Sequence, residues 1–183
     1  RKNKLSELPT GLGRCTQLNH LYLDSNQVCK LPASVEKLDR LNTLALRKNE
    51  LDELPDTLEC HTQFHKLDLD YNKIKNFPAK LFRELDDLEM LSVVKNELRL
   101  LPDLIGNCTK LQHLNLNGNK LSALPGTIGN LPDLNTLCIK WNKLTSLPPT
   151  VGNCVKLQKL ELDGNKLSQL PPTLGQLINL HTL

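Results

Sequence analysis

Asparagine recurs every 23 residues along this chain, with a single step of 24 residues between Asn72 and Asn96. An aliphatic residue follows two places after each of these asparagines. The series consists of Asn3, Asn26, Asn49, Asn72, Asn96, Asn119, Asn142 and Asn165. A fixed period of this size is typical of a solenoid, in which each repeat packs only against its neighbours. We therefore expect stacked coils that share one continuous core.

The repeat has the pattern L-x-x-L-x-L-x-x-N-x-L-x-x-L-P-x-x-L-x-x-L, and it accounts for every residue of the chain. Its successive units begin at Leu18, Leu41, Phe64, Leu88, Leu111, Leu134 and Leu157. Residues 1–17 and the residues from 180 onwards are partial units. The pattern predicts a single domain over residues 1–183. Because both ends fall inside a repeat, we expect a fragment that lacks the two polar caps of a solenoid.

The first part of each unit alternates apolar and polar residues, which is typical of a half-buried strand. In the unit that begins at Leu111, Leu114 and Leu116 should point inward, whereas His113 should point outward. Stacked strands would form one parallel sheet with a leucine inner face and a variable outer face. The asparagine at the end of each strand carries two donors and one acceptor. We expect these amides to form a hydrogen-bonded ladder inside the turns.

A leucine-proline pair, or Phe77-Pro78 in one unit, follows each asparagine, as at Pro102 and Pro125. Proline fixes φ and disfavours a helical residue before it, so it should begin the return segment. The return is too short for a long α-helix. The pattern therefore predicts an α/β solenoid, a horseshoe with a parallel sheet on its concave side and short 3₁₀ or irregular segments on its convex side.

These motifs resemble the leucine-rich repeat family over essentially all 183 residues. The return pattern L-P-x-x-[IVL]-G-x-[LC] is similar to that of the intracellular Ras-group repeats, which include Scribble- and Erbin-like scaffolds. The resemblance implies a signalling scaffold that binds proteins. One unit of 24 residues, with the pair Leu81-Phe82, instead resembles extracellular repeats.

The variable strand positions are where we expect the function to lie, because the scaffold fixes the leucines. Tyr22, Tyr71 and Trp141 should all lie on the concave face, and such residues are enriched where interfaces are anchored. We also expect Gly118 and Gly164 to leave room beside Trp141 for an incoming side chain. The predicted partner-binding residues are Tyr22, Lys48, Tyr71, Met90, Val94, Lys95, His113 and Trp141.

Charged residues alternate in sign at one outer position of four successive strands. Arg1, Asp24, Arg47 and Asp70 should pair across neighbouring strands. We therefore do not assign Asp70 a catalytic role. The net charge is only +3 and the charges are interspersed along the chain, which gives no electrostatic reason to expect binding to nucleic acid or insertion into a membrane.

Motifs for catalysis or cofactor binding are not found. Cys60, His61 and His65 have a metal-like spacing, but His61 should point inward and His65 outward, so we expect no metal site. The chain has no phosphate-binding glycine loop and no nucleophile motif. The sequence therefore predicts a protein that is not an enzyme and that needs no cofactor.

The six cysteines bear on the compartment. Cys15, Cys108 and Cys154 occupy a position that is leucine in other repeats, so we expect small buried hydrophobic residues there. Six unpaired thiols favour a reducing compartment, which predicts a cytoplasmic protein. If the chain is secreted instead, Asn107-Cys108-Thr109 would be a glycosylation sequon.

The sequence thus predicts a non-catalytic module that binds protein partners through its concave face. One alternative is a secreted or cell-surface recognition protein for microbial or glycan ligands. Another is the sensor part of a larger enzyme.

Overall fold

The computed structural model describes residues 1–183, and each repeat contributes a three-residue strand followed by a turn and a return segment. The strands are β1 (His20–Tyr22), β2 (Thr43–Ala45), β3 (Lys66–Asp68), β4 (Met90–Ser92), β5 (His113–Asn115), β6 (Thr136–Cys138) and β7 (Lys159–Glu161). The 3₁₀ helices are η1 (Thr10–Arg14), η2 (Ala33–Lys37), η3 (Asp56–Cys60), η4 (Asp103–Asn107), η5 (Gly126–Asn130), η6 (Pro149–Asn153) and η7 (Pro172–Gln176). None of these helices has the length and apolar character needed to span a bilayer.

The seven strands form one parallel sheet whose order follows the chain. Equivalent residues of successive repeats lie opposite each other, as Leu114 does to Leu137. The pairing of Lys66 with Met90 absorbs the single 24-residue step without breaking the register. The predicted solenoid, with a parallel sheet on one side and 3₁₀ segments on the other, is confirmed.

One continuous core of 43 buried residues runs through the coils. Leu114 and Leu116 are both fully buried, as their alternation with polar residues predicts. Burying a leucine side chain stabilises a fold by about 1.5–3 kcal/mol. Because the inward positions are filled from every repeat, neighbouring coils contribute to the same apolar interior.

Proline begins each return segment that forms a 3₁₀ helix. Pro102 has φ −61°, which its ring favours, and its carbonyl accepts a hydrogen bond from the Ile105 N–H at 3.0 Å. The 3₁₀ helices of adjacent repeats then pack closely. A Cβ on Gly129 would lie 2.4 Å from the Thr150 carbonyl oxygen, so this position needs a residue without a side chain.

The 24-residue repeat differs from the others on its return side. Residues 79–82 form turns where other repeats have a 3₁₀ helix. Phe82 is fully buried there and packs edge-on against Phe77, with ring centroids 5.0 Å apart. The additional residue thus places a large aromatic side chain in the core.

The cysteine prediction is correct at two of its three positions. Cys108 and Cys154 are buried, and burial raises their thiol pKa values to about 12 and about 11 respectively. Cys15 is exposed, however, and the expectation of a buried residue there is wrong. It follows η1, which packs against η2 but has no 3₁₀ helix on its other side.

Candidate interaction face

The ladder asparagines hold the turns from which the outer surface of the sheet is built. The Oδ1 of Asn119 accepts a hydrogen bond from the Leu98 N–H at 3.0 Å, and its Nδ2 donates to the carbonyls of Val93 at 2.7 Å and Leu116 at 3.0 Å. Six other asparagines also accept an amide hydrogen bond from the preceding repeat: Asn26, Asn49, Asn72, Asn96, Asn142 and Asn165. Each of these side chains ties its own turn to the coil before it.

The residue directly before each ladder asparagine has a positive φ. This position holds Lys2, Ser25, Lys48, Tyr71, Lys95, Gly118, Trp141 and Gly164, with φ between 52° and 70°. In this left-handed region a residue with a Cβ is strained by about 1–2 kcal/mol. Two of the predicted anchors, Tyr71 and Trp141, therefore project from strained turns at the ends of their strands and not from the strands themselves.

The two glycines in this column do not leave an empty space, so that expectation is wrong. A Cβ on Gly164 would lie 2.4 Å from Cε3 of Trp141, because the indole already lies over this glycine. A Cβ on Gly118 would similarly lie 3.1 Å from Cγ of Lys95. In both cases the side chain of one repeat leans over the glycine of the next. The two glycines adopt the left-handed conformation, and the side chain from the preceding repeat packs against them.

Tyr71 lies in a cluster of cations. The Nζ atoms of Lys48 and Lys95, from the repeats on either side, lie 5.8 Å and 5.2 Å from its ring centroid. The guanidinium carbon of Arg47 lies at 5.0 Å. A cation over a tyrosine ring is worth about 0.5–1 kcal/mol at an exposed position. The structure therefore brings together three of the predicted residues, and it adds Arg47, which was predicted only to form an ion pair.

Trp141 and Tyr22 lie apart from this cluster. The Trp141 side chain is 68% exposed although one part of its indole rests on Gly164. Tyr22, at the end of β1, is 45% exposed and contacts Arg1 and His20 instead. Both aromatic residues present apolar surface to solvent on the sheet side of the molecule.

The remaining predicted residues occupy the sheet between these aromatic side chains. Met90 and His113 are register partners on β4 and β5, and Met90 is half-buried whereas His113 is exposed. Val94 is also half-buried, and its carbonyl accepts a hydrogen bond from the Tyr71 N–H at 2.6 Å. These three residues extend an apolar and weakly polar surface alongside the Tyr71 cluster.

The alternating charges form ion pairs at two of their three neighbouring steps, and at the third the Asp24 carboxylate accepts a hydrogen bond from the Arg47 N–H. Arg1 lies 2.8 Å from Asp24, and Arg47 lies 3.3 Å from Asp70. The buried Asp70 carboxylate also accepts hydrogen bonds from the Ser92 hydroxyl at 2.6 Å and the Val94 N–H at 2.8 Å. Its oxygens are therefore engaged in structural contacts.

Asp68 differs from Asp70 because it has no cationic partner within 4.0 Å. It lies on β3, two residues before Asp70, and its Oδ1 accepts a hydrogen bond from the Asp70 N–H at 3.2 Å. Burial raises the pKa of Asp68, and the charge of Asp70 raises it further.

The metal-like spacing does not bring its residues to one place. Cys60 is exposed, whereas His61 is buried and stacks on Phe64 with ring centroids 5.1 Å apart. His65 instead contacts the Asn42 side chain at 2.8 Å. Nowhere in the chain do three His, Cys, Asp or Glu side chains converge as a metal site would require.

A cavity of about 670 Å³ lies at the edge of the sheet where the strands begin. It is lined by polar residues, including His20 and Asn42, and by no hydrophobic side chain. Small-molecule sites are mostly apolar, so this cavity does not have their character.

Asn107, the sequon asparagine, lies at the end of η4 and is exposed. Its Nδ2 donates a hydrogen bond to the Arg83 carbonyl at 3.1 Å.

Comparison with known protein families agrees with this architecture. A leucine-rich repeat model matches residues 62–121, and a second leucine-rich repeat model matches residues 156–177. The chain is a leucine-rich repeat solenoid. No curated protein sequence matches it.

Solved structures superpose on 97–100% of this chain. A leucine-rich repeat protein of Leptospira interrogans has 31% identity and a TM-score of 0.86, and the match covers 100% of this chain and 52% of that one. A TDR receptor has 29% identity and a TM-score of 0.89, with 97% and 32% covered. The Drosophila Toll–Spätzle complex has 25% identity and a TM-score of 0.80, with 99% and 30% covered. The solenoid thus spans about half of the Leptospira protein and about a third of the TDR receptor chain.

Proposed function

We propose that this leucine-rich repeat solenoid is a non-catalytic module that binds protein partners through the sheet face, which the sequence pattern predicts to be concave. The observation that supports this most is the distribution of aromatic side chains. Phe64, Phe77 and Phe82 are buried in the core. Tyr22, Tyr71 and Trp141 instead lie on the sheet side, where Trp141 is 68% exposed.

Trp141 has the properties of an interface anchor. Tryptophan and tyrosine carry a large share of the binding energy in many interfaces. The indole is held by Gly164 on one side, so it would lose little freedom on binding. Tyr71 is similarly held by Lys48 and Lys95. Protein complexes among the solved relatives, such as Toll with Spätzle, also support a protein partner.

The chemistry of the face supports a binding role and not catalysis. The Asp70 carboxylate is engaged with Arg47, Ser92 and Val94, and it is not free to act as a base. Burial together with Glu161 raises the Cys138 thiol pKa to about 12, which makes it a poor nucleophile. We propose a signalling scaffold of the kind that the Ras-group resemblance implies, without a cofactor, in the cytoplasm, where six free thiols would stay reduced.

A secreted or cell-surface recognition protein for microbial or glycan ligands is the second candidate. It is favoured by the exposure of Asn107 within its sequon and by receptors among the solved relatives. Treatment of the native protein with a glycosidase distinguishes the two. A mobility shift that Asn107→Gln abolishes supports secretion, and titration of six thiols without a shift supports the cytoplasmic scaffold.

Site-specific photo-crosslinking in the full-length protein tests the proposed face. A photoreactive residue at Thr136 on β6 would report on the sheet, and one at Lys37 on η2 would report on the return side. We expect a partner protein to crosslink to the photoreactive residue at position 136 but not to the one at position 37. The same partner should bind the purified solenoid in solution. Crosslinking of that protein from Lys37 alone would contradict the proposal.

A further inference from the structure

Cations gather along the edge of the sheet at which the strands end. They occupy the first and third places after successive ladder asparagines, where the coils bring them side by side. We define the basic rim as Lys73, Lys75, Arg99, Lys120, Lys143 and Lys166. Over the same two positions from Lys73 onwards, Glu97 is the one acidic residue.

Backbone hydrogen bonds fix the spacing of this rim. The N–H groups of Lys120, Lys143 and Lys166 each donate at 2.8 Å to a carbonyl of the preceding repeat. The backbones of successive lysines are therefore held one repeat apart. Neighbouring strands lie about 4.8 Å apart, so the lysine backbones are spaced at about that distance.

Most of the rim has no internal counter-charge. Lys75, Arg99, Lys143 and Lys166 have no carboxylate within 4.0 Å, whereas Lys73 pairs with Glu50 and Lys120 with Glu97. Several lysines elsewhere on the solenoid are paired with carboxylates. Lys140 lies 3.1 Å from Glu161 and 3.0 Å from Asp163, and Lys156 pairs with Asp133. The rim therefore carries more positive charge than its ion pairs balance, and a partner could neutralise the excess.

The rim also borders a cavity and exposed apolar residues, as a docking surface would. A cavity of about 440 Å³ lies between Arg99, Lys120 and Lys143, and it is completed by Ser122. Leu100, next to Arg99, is 54% exposed. Trp141, two residues before Lys143, is 68% exposed. A ligand along this edge would meet cations together with apolar surface, which is a combination suited to an acidic peptide.

We propose that the basic rim binds an acidic helical segment of the protein partner. On a helix, acidic side chains one turn apart are separated by about 5.4 Å, close to the spacing of about 4.8 Å between successive repeats. Apolar side chains beside the acidic stripe would contact Leu100 and Trp141. This inference rests on the proposed function, because it names the chemistry of the partner that the sheet face receives.

A synthetic alanine-based helix with glutamate at every fourth position is the direct probe. Its affinity for the full-length protein is measured by fluorescence anisotropy at several salt concentrations, beside a glutamine version of the same peptide. We expect the glutamate peptide to bind, its affinity to fall as salt rises, and the glutamine peptide not to bind.

Charge-removal variants locate the binding. Changing Arg99, Lys143 and Lys166 together to Gln should weaken the glutamate peptide about tenfold. The matched control changes Arg14, Lys37 and Lys80 to Gln, which removes the same charge from the return side and should leave the affinity unchanged. Circular dichroism and urea midpoints check that both triple variants fold.

Three results would overturn the rim inference. One is equal weakening by both triple variants, and another is no weakening by either. The third is rim-dependent binding of a heparin-derived oligosaccharide with no binding of the glutamate peptide. Failure of the rim is distinguished from failure of the sheet face, which the crosslinking from Thr136 tests separately.

Discussion

At the scale of single residues, the ladder asparagine explains why one residue type recurs so regularly. Its short amide reaches two carbonyls and one N–H group in the interior, as Asn119 does with Val93, Leu116 and Leu98. The recurrence itself, followed by an aliphatic residue and then by leucine-proline, was enough to predict this role from the sequence. The individual donors and acceptors follow from the stacking of the coils.

Replacement of one ladder amide should destabilise the fold. In Asn119→Ala the buried N–H and carbonyl groups lose their partner, which should cost about 1–3 kcal/mol for each group left unsatisfied. Urea denaturation measures this change. Asn76→Ala is the control, because Asn76 is exposed and makes no side-chain hydrogen bond. An equal effect of the two substitutions would contradict the ladder account.

His61 makes stability depend on pH. Its ring is buried, and neither nitrogen has a hydrogen-bond partner. Burial lowers the pKa of His61 below 6.5, and it outweighs the nearby Val35 backbone and the charge of Asp39, which act in the opposite direction. As pH falls through about 6.5, the unfolded chain takes up a proton that the folded chain resists. The contribution of His61 is thus fully present above that pH and is lost below it.

Comparison of variants isolates this effect. His61→Leu places leucine at the position that Leu38 and Leu131 occupy in other repeats. In this variant the free energy of unfolding should decrease less than in the wild type as pH falls from neutral to the lowered pKa. Urea midpoints measured across this range are the readout. His113→Gln removes an exposed histidine and should leave the loss in place. If both variants follow the wild-type curve, His61 does not have the proposed role.

At the scale of the repeat, period and alternation were sufficient to predict strands, turns and 3₁₀ segments. The left-handed turn before each ladder asparagine was not predicted. Lysine, serine, tyrosine and tryptophan share that position, and they do not ordinarily favour a positive φ. Gly118 and Gly164 were the available signal for this turn, but they were expected to leave space for a partner side chain. Backbone geometry therefore decides where the side chains of Tyr71 and Trp141 lie.

A pair of glycine substitutions tests this turn. Gly118 has φ +70°, so Gly118→Ala should cost about 1–2 kcal/mol. Gly126, at the start of η5, has open space where a Cβ would lie and no positive φ, so Gly126→Ala should cost much less. The difference between their unfolding free energies is the measurement. Equal costs would show that the left-handed turn is not the cause.

At the scale of the whole molecule, stacking of the coils places equivalent positions of successive repeats in one row on the surface. Charges that are interspersed along the chain gather as the basic rim because Lys120, Lys143 and Lys166 are stacked by the coil. This row was not predicted, because its positions follow the ladder asparagines and lie outside the strand position at which Arg1, Asp24, Arg47 and Asp70 were expected to pair. The aromatic residues were found because they are few, with only one tryptophan and two tyrosines in the chain. Their separation into distinct places is visible only in the three-dimensional structure.

The affinity of the crosslinked partner for variants of the sheet face tests the central claim most directly. Isothermal titration should show that Trp141→Ala and Tyr71→Ala each weaken binding by about 2 kcal/mol, or about 30-fold. Val155→Ala removes an exposed apolar side chain outside the sheet and should have little effect. Unchanged affinity in both aromatic variants, with their unfolding transitions intact, would contradict binding through this face.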